Sequence, residues 1–233
     1  MKNIARKLLR LLGYEYTRST PNNNGNHVLI PRLGCDPYKD IKFLLKAKNT
    51  HPVILDIGAN TGQSVKKFKK IFPESVIHSF EPSPKTFEKL SNICSGYSNC
   101  TPWNMGIGSN DGFLNLHENT FSVMSSFLKL GSLGWGKEHE TSKVPIATVT
   151  SFTKQHNIKF IDILKCDTQG FELEVFRGAK QLMIENKIGL IYFEFTFTSI
   201  YNDLPKFEDV FSILRDNRFR FITSYQPNFQ EHL

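Results

Sequence analysis

Apolar and polar positions along this 233-residue chain fall into two regimes. In the first, Ile4, Leu8, Leu11 and Leu12 recur at i, i+4, i+7 and i+8, one stripe of a helix over 2–12, while Lys2, Arg6 and Arg10 line another face. STPNNNGNH (19–27) has the composition of a linker, and one more helix is expected around Tyr38–Lys48. From residue 52 the pattern changes: short apolar runs alternate with amphipathic stretches. VILDIG (53–58), SVIHSFEP (75–82), CTPWNMGIG (100–108), FIDILKCD (160–167) and GLIYFEF (189–195) read as strands. QSVKKFKKIF (63–72), KTFEKLSNI (85–93), FELEVFRGAKQLMIE (171–185) and Pro205–Asn217 read as helices. Asn110-Asp111-Gly112 before FLNLH (113–117) predicts an antiparallel hairpin. VPIATVTSF (144–152) predicts a strand leading into a helix near Thr150–His156, and FRFITS (219–224) a last strand.

Continuous apolar runs are strands buried on both faces. Their alternation with helices implies right-handed crossovers. The expected fold is α/β, a doubly wound and mostly parallel sheet with a late antiparallel strand. It forms one domain over 50–233, with a helical extension over 1–49.

Composition changes this picture only at the margins. A hydrophobic share of 39% and a charged share of 22% exclude a polytopic membrane protein, a coiled coil and a mostly disordered chain. The best apolar run, Ile188 to Tyr201, is broken by Glu194 and falls short of a membrane span. Arg10 interrupts the N-terminal apolar run, so a secretory core is not expected. The four cysteines have no zinc-type spacing, and scattered thiols fit a reducing, cytoplasmic location. Of the net charge of +7, residues 1–18 carry +4. That local basicity suits a terminal helix packed on the domain or on a second copy, as in a homo-oligomer. It also suits peripheral contact of residues 2–12 with the anionic inner face of a membrane. It lacks the broad basic and aromatic surface of a nucleic-acid groove, so no nucleic-acid partner is expected.

Candidate chemistry gathers at the carboxyl ends of the expected strands, where open α/β sheets bind ligands. Asp56-Ile57-Gly58-Ala59-Asn60-Thr61-Gly62 ends the first strand and opens the first helix. The spacing is G-x-N-x-G, unlike the G-x-G-x-x-G that seats a pyrophosphate. An acidic strand end suits a cationic or zwitterionic amino-acid group. Glu81 ends the second strand, the position that grips ribose hydroxyls in dinucleotide folds. Together these residues point to an adenosine ligand bearing an amino acid, S-adenosylmethionine, rather than NAD. Asp167 and Glu194 end later strands and are candidates for acid–base work, as is His139. Asp167 is also a candidate to contact the cofactor amine, with a structural reading as the cap of the helix that contains Glu172. Two carboxylates offer too few oxygens for a divalent cation, so no metal is expected. Trp135, in the glycine-rich stretch 130–140, could stack on a sugar face, and Cys166 reads as a buried strand cysteine.

VILDIGANTGQSVKKF, FEPSPKTFEKL, NMGIGSNDG, VPIATVTSF, LKCDTQGFELEVFRGA and LIYFEF stand in the order in which they occur in FkbM-type methyltransferases. Residues 50–198 resemble that family, which implies a class I, Rossmann-like fold and S-adenosylmethionine as cofactor. The resemblance assigns the methionine part to Asp56, Gly58, Asn60 and Gly62, with Ala59 and Thr61 between them. It assigns the ribose to Glu81 and Ser83, around Pro82, and the adenine to Asn104, Gly106 and Ile107. Ser125 and Ser126 match a serine-rich stretch over the cofactor. The chain departs from the pattern at Ser109, where an acid is usual, and at Gln169, where the usual D-V-E-G is Asp167-Thr168-Gln169-Gly170. The expected activity is O-methylation of a hydroxyl, foremost that of a sugar in a surface or lipid-linked glycan. A small natural-product acceptor, a non-catalytic binding protein and an NAD-dependent oxidoreductase are the alternatives.

Overall fold

A computed structural model describes residues 14–15, 30–31, 33–45 and 51–225. The helix expected over 2–12 and the linker at 19–27 lie outside the described residues. The chain divides into two units, Met1–Lys48 with Phe221–Leu233, and Asn49–Arg220.

In the first unit β1 (Tyr14–Glu15) pairs antiparallel with β2 (Ile30–Pro31). Helix α1 (Pro37–Leu45) starts where the Asp36 carboxylate accepts the backbone N–H groups of Tyr38 and Lys39. The buried Asp40 carboxylate accepts from Gly34 N at 2.7 Å and from the Tyr225 hydroxyl at 2.9 Å.

The second unit carries the alternating pattern. Its first half is β3 (Val53–Ile57), α2 (Gln63–Ile71), β4 (Val76–Phe80), α3 (Pro84–Cys94) and β5 (Cys100–Trp103). Its second half is β9 (Ile161–Cys166), α5 (Glu172–Ile184), β10 (Ile188–Phe193) and α6 (Phe207–Asp216). These strands form a five-stranded sheet in the order β10-β9-β3-β4-β5, every neighbouring pair parallel. Growth runs outward from β3 to β5, then returns to lay β9 and β10 on the other side, so the switch point falls beside β3. The strands are apolar because both faces are covered: Ile54, Leu55, Ile163, Leu164 and Cys166 are fully buried. Val65 and Phe68 of α2, and Val175, Phe176 and Ala179 of α5, supply apolar faces of those two helices. Helix α3 begins at Ser83, whose hydroxyl accepts from Thr86 N, followed by Pro84 at the first helical position.

Between the halves sits a smaller sheet of β6 (Gly106–Ile107), β7 (Gly112–Asn119) and β8 (Glu138–Ala147), ordered β6-β8-β7. A 3₁₀ turn (Ser122–Met124) follows β7, and α4 (Val149–Gln155) follows β8 behind a Thr148–Ser151 capping box.

Three sequence expectations change here. The single strand over 100–108 is two strands in two sheets, because Asn104 turns the chain by donating to the carbonyls of Glu81 and Pro82. Pro102 is tolerated because β5 is an edge strand. FLNLH pairs with β8 rather than in a local hairpin, so among the described residues the long antiparallel ladder falls mid-chain, outside the parallel sheet. Residues 219–224 are irregular, not a late antiparallel strand. Arg218 turns left-handed (φ 69°), and Phe219 N is engaged in closing α6 on Leu214 O. Phe221 and Ile222, adjacent in sequence, are both exposed, which period-2 burial does not allow.

Candidate active site

The candidate site lies at the carboxyl ends of β3, β4, β9 and β10. After β3 the chain runs through left-handed Gly58 (φ 75°), Asn60 (φ 48°) and Gly62 (φ 85°). Gly58 is dictated by the strand ends rather than by a ligand: a Cβ there would stand 1.8 Å from the Asp167 carbonyl oxygen. Gly58 N and Ala59 N donate to Phe80 O, fixing the turn to β4. Asn60 N donates to Glu81 Oε2 at 3.0 Å, and Asn60 Oδ1 accepts from Ser122 of the 3₁₀ turn. Thr61 is half-buried beside them.

Asp56, expected at the ligand, is fully buried on β3. Its Oδ2 accepts from the Ser64 hydroxyl of α2. Its Oδ1 takes no hydrogen bond and lies 3.3 Å from the Lys165 ammonium. Lys165 also stands 3.3 Å from Asp167 Oδ2 and donates to Gly58 O at 2.9 Å. This lysine joins the glycine turn to both aspartates, and sequence reasoning missed it. Its signal was a lone cation in the buried strand IDILKC.

Asp167, at the end of β9, is partly open, with 31% of its side chain exposed. It does not cap α5; Phe171 holds that position. The buried Glu172 instead organises the preceding loop, its Oε1 accepting from Thr168 N, Thr168 Oγ1 and Gly170 N. Gln169, left-handed at φ 56°, donates through Nε2 to Asp167 Oδ1 at 2.9 Å. Its Oε1 accepts from the Tyr201 hydroxyl at 3.2 Å, and its carbonyl from Ser126 at 2.8 Å. An amide can donate and accept at once, where an ionised carboxylate only accepts.

Glu194 follows β10, anchored by its N–H to Cys166 O. The residue is exposed, and its carboxyl lies within electrostatic reach of Asp167, Glu172 and Lys165. Withdrawal of that carboxyl from water, then the nearby Asp167 charge, push Glu194 up to about 7.

Glu81, at the end of β4, is pushed up to about 7 by burial. Its oxygens accept from Asn60 N and Ser83 N, and Lys165 acts in the same downward direction. The Ser83 hydroxyl donates to Glu118 of β7 at 2.7 Å, and Ser142 of β8 donates to the same carboxylate. The smaller sheet thus braces the turn after β4. Pro82 and Asn104 border Glu81, while Gly106 and Ile107 are buried in β6, Ile107 within the main core.

The remaining candidates stand elsewhere. His139 is exposed at the register shift of β8, where Glu118 pairs with Glu140 and Asn119 with Glu138. Trp135 is exposed and packs against Phe121 with ring centroids 5.0 Å apart and the rings tilted by 57°. Beyond Glu194, Phe195, Phe197, Phe207 and Phe211 form a ladder of rings at 4.0–5.3 Å, with Phe197 76% exposed. Among the described residues no group of three or more His, Cys, Asp or Glu is placed to hold a metal ion. None of their helices is long and apolar enough to cross a membrane.

The methyltransferase FkbM domain matches residues 56–221. The 2-O-methyltransferase NoeI of Sinorhizobium fredii is 22% identical over 182 residues, 73% of either chain. Methyltransferase 1 of Beauveria bassiana is 26% identical over 146 residues, 54% of this chain and 57% of that one. Among solved structures, precorrin-6y C5,15-methyltransferase of Geobacter metallireducens aligns over 78% of this chain and 71% of its own, with 12% identity and a TM-score of 0.44.

Proposed function

Since this chain belongs to the FkbM methyltransferase family and is an S-adenosylmethionine-dependent enzyme, we propose that it methylates a hydroxyl oxygen, that of a sugar in a surface or lipid-linked glycan. The observation that carries the reading is the convergence of Asp167 and Glu194 at the adjacent carboxyl ends of β9 and β10, where Glu194 N donates to Cys166 O next to Asp167. A carboxyl held near neutrality is matched to taking a hydroxyl proton. The similarity to a 2-O-methyltransferase supports oxygen as the acceptor atom.

The residues present fit the cofactor. Asp56, Glu81, Asp167 and Glu194 outweigh the Lys165 charge, which favours a ligand bearing an ammonium and a sulfonium and disfavours a pyrophosphate. Asp56 Oδ1 is a buried oxygen with no hydrogen bond of its own. Each Glu81 oxygen holds one backbone N–H and keeps a lone pair for a ribose hydroxyl. S-adenosylmethionine, when bound, supplies an electrophilic methyl group. In this reading the glycine turn and Asp167 hold the methionine part, Glu81 with Ser83 the ribose, and Pro82 and Asn104 border the adenine. Asp56 acts from behind, fixing Ser64 and Lys165. The Asp167–Glu194 pair orients the acceptor hydroxyl and receives its proton, and Gln169 with Tyr201 holds Asp167 in place. Most of the acceleration then comes from alignment of oxygen and methyl carbon.

Calorimetric titration with S-adenosylhomocysteine tests the cofactor half: wild type binds and Asp56→Ala loses affinity at least tenfold. Transfer of labelled methyl to oligosaccharides tests the acceptor half. Its rate rises as pH passes through about 7, where Glu194 ionises, and Glu194→Gln lowers kcat about 100-fold or more. A pH-independent rate, or a fully active Glu194→Gln, would remove the base. The Phe195–Phe211 ladder favours a second reading, an apolar natural-product acceptor. Transfer to phenolic or aliphatic alcohols but to no sugar would select it.

A further inference from the structure

Cys94 and Cys100 have no role in the site above, and the fold brings them together. Cys94 ends α3 and Cys100 begins β5, and their Sγ atoms are in contact at 3.0 Å. A disulfide needs about 2.05 Å, so roughly 1 Å of approach would close one. The connection between them turns back through Asn99, left-handed at φ 56°. The Lys69 ammonium is pinned beside this turn, donating to Ser75 O and Ser98 O at 2.7 Å and to Pro73 O at 3.3 Å. Cys94 is buried, while Cys100 is partly open to solvent.

We propose that Cys94 and Cys100 are a modification site, a dithiol that hydrogen peroxide converts to an intramolecular disulfide. The geometry assigns the roles. Contact with Cys94 foremost, and the Lys69 charge with it, draw the Cys100 thiol below its ordinary pKa against the opposing effect of burial. The same contact, with burial, holds Cys94 as a thiol. The Cys100 thiolate attacks one peroxide oxygen; the O–O bond breaks, and hydroxide leaves and takes up a proton to become water. Cys100 is then a sulfenic acid. The Cys94 sulfur, losing its proton, attacks the Cys100 sulfur; the S–O bond breaks, and a second water departs. Two thiols and one peroxide become one disulfide and two waters, the pair losing two electrons. The link joins the end of α3 to the start of β5. Ile93, next to Cys94, lies with Leu90 of the same helix against Gly62 of the glycine turn.

The test uses the full reduced chain, brief exposure to hydrogen peroxide, alkylation, and mass spectrometry of the tryptic peptide that follows Lys89 and ends at Lys129, which contains both cysteines. That peptide should lose the mass of two hydrogens, escape alkylation, and recover both thiols in dithiothreitol. The exposed Cys35 reports general oxidation, and Cys35→Ser should leave the conversion intact. Cys94→Ser should stop it and leave Cys100 as a trapped sulfenic acid. Two alkylatable thiols after Cys35 has been oxidised would overturn the proposal, as would a Cys100 that passes to sulfinic acid without linking.

Discussion

Gly58→Ala would place a methyl carbon 1.8 Å from the Asp167 carbonyl oxygen, at a φ of 75° that alanine also resists. Backbone cannot yield there without separating β3 from β9. At Gly62 the same methyl meets Ile93 Cγ2 at 3.0 Å and Ile93 Cβ at 3.2 Å, contacts relieved by a shift of a few tenths of an ångström. Gly58→Ala should therefore cost about 3 kcal/mol or more, and Gly62→Ala about 1–2 kcal/mol, chiefly left-handed strain. Urea unfolding of the two variants decides it; equal midpoints would refute the steric argument. The glycines stood out in the sequence, but their reason did not, since the clash involves a residue more than a hundred positions away. Lys165 is the converse case. A lysine in a core strand reads as an anomaly until Asp56, Asp167 and the Gly58 carbonyl are assembled around it.

At the scale of elements, periodicity located helices and strands well wherever one face or both are buried. Helix α5 shows why: Val175, Phe176 and Ala179 are fully buried, while Ile184 near its end is 55% exposed. Phe176→Ala should cost about 3–5 kcal/mol through lost burial and the cavity left behind, and Ile184→Ala within about 0.5 kcal/mol of zero. Denaturant unfolding free energies check both, and comparable losses would mean that α5 is packed differently. The smaller sheet was harder to read. FLNLH carries a turn signal before it, yet its partner is β8, beyond a connection that includes the 3₁₀ turn and the glycine-rich stretch. Pairing at that separation leaves no local mark. The strand expected at 219–224 failed for a related reason, since alternation proposes a strand but a neighbouring edge must accept it.

Taken as a whole, the molecule gathers acidic side chains at one end of its sheet, and that concentration sets its response to pH. Burial raises Glu81 and Glu172, and Glu194 is raised as well, so the folded state binds protons more readily than the unfolded one. The contribution of Glu81 and Glu194 to stability is full below the ordinary glutamate pKa and is lost as pH rises through about 7. The ligand-free protein should melt at lower temperature at pH 7.5 than at pH 5.5, by about 2–4 °C per kcal/mol lost. Glu81→Gln should flatten that slope, and an unchanged slope would show that Glu81 titrates normally. By itself the sequence determined the α/β class, the carboxyl-end location of the chemistry and the family resemblance, because short-range periodicity and contiguous motifs encode them. Only the tertiary structure decided that Asp56 is sealed behind Lys165, that Gln169 bridges Tyr201 to Asp167, and that Cys94 touches Cys100. Each is a contact between separate elements, and its energy exists only once the strands have brought those elements together.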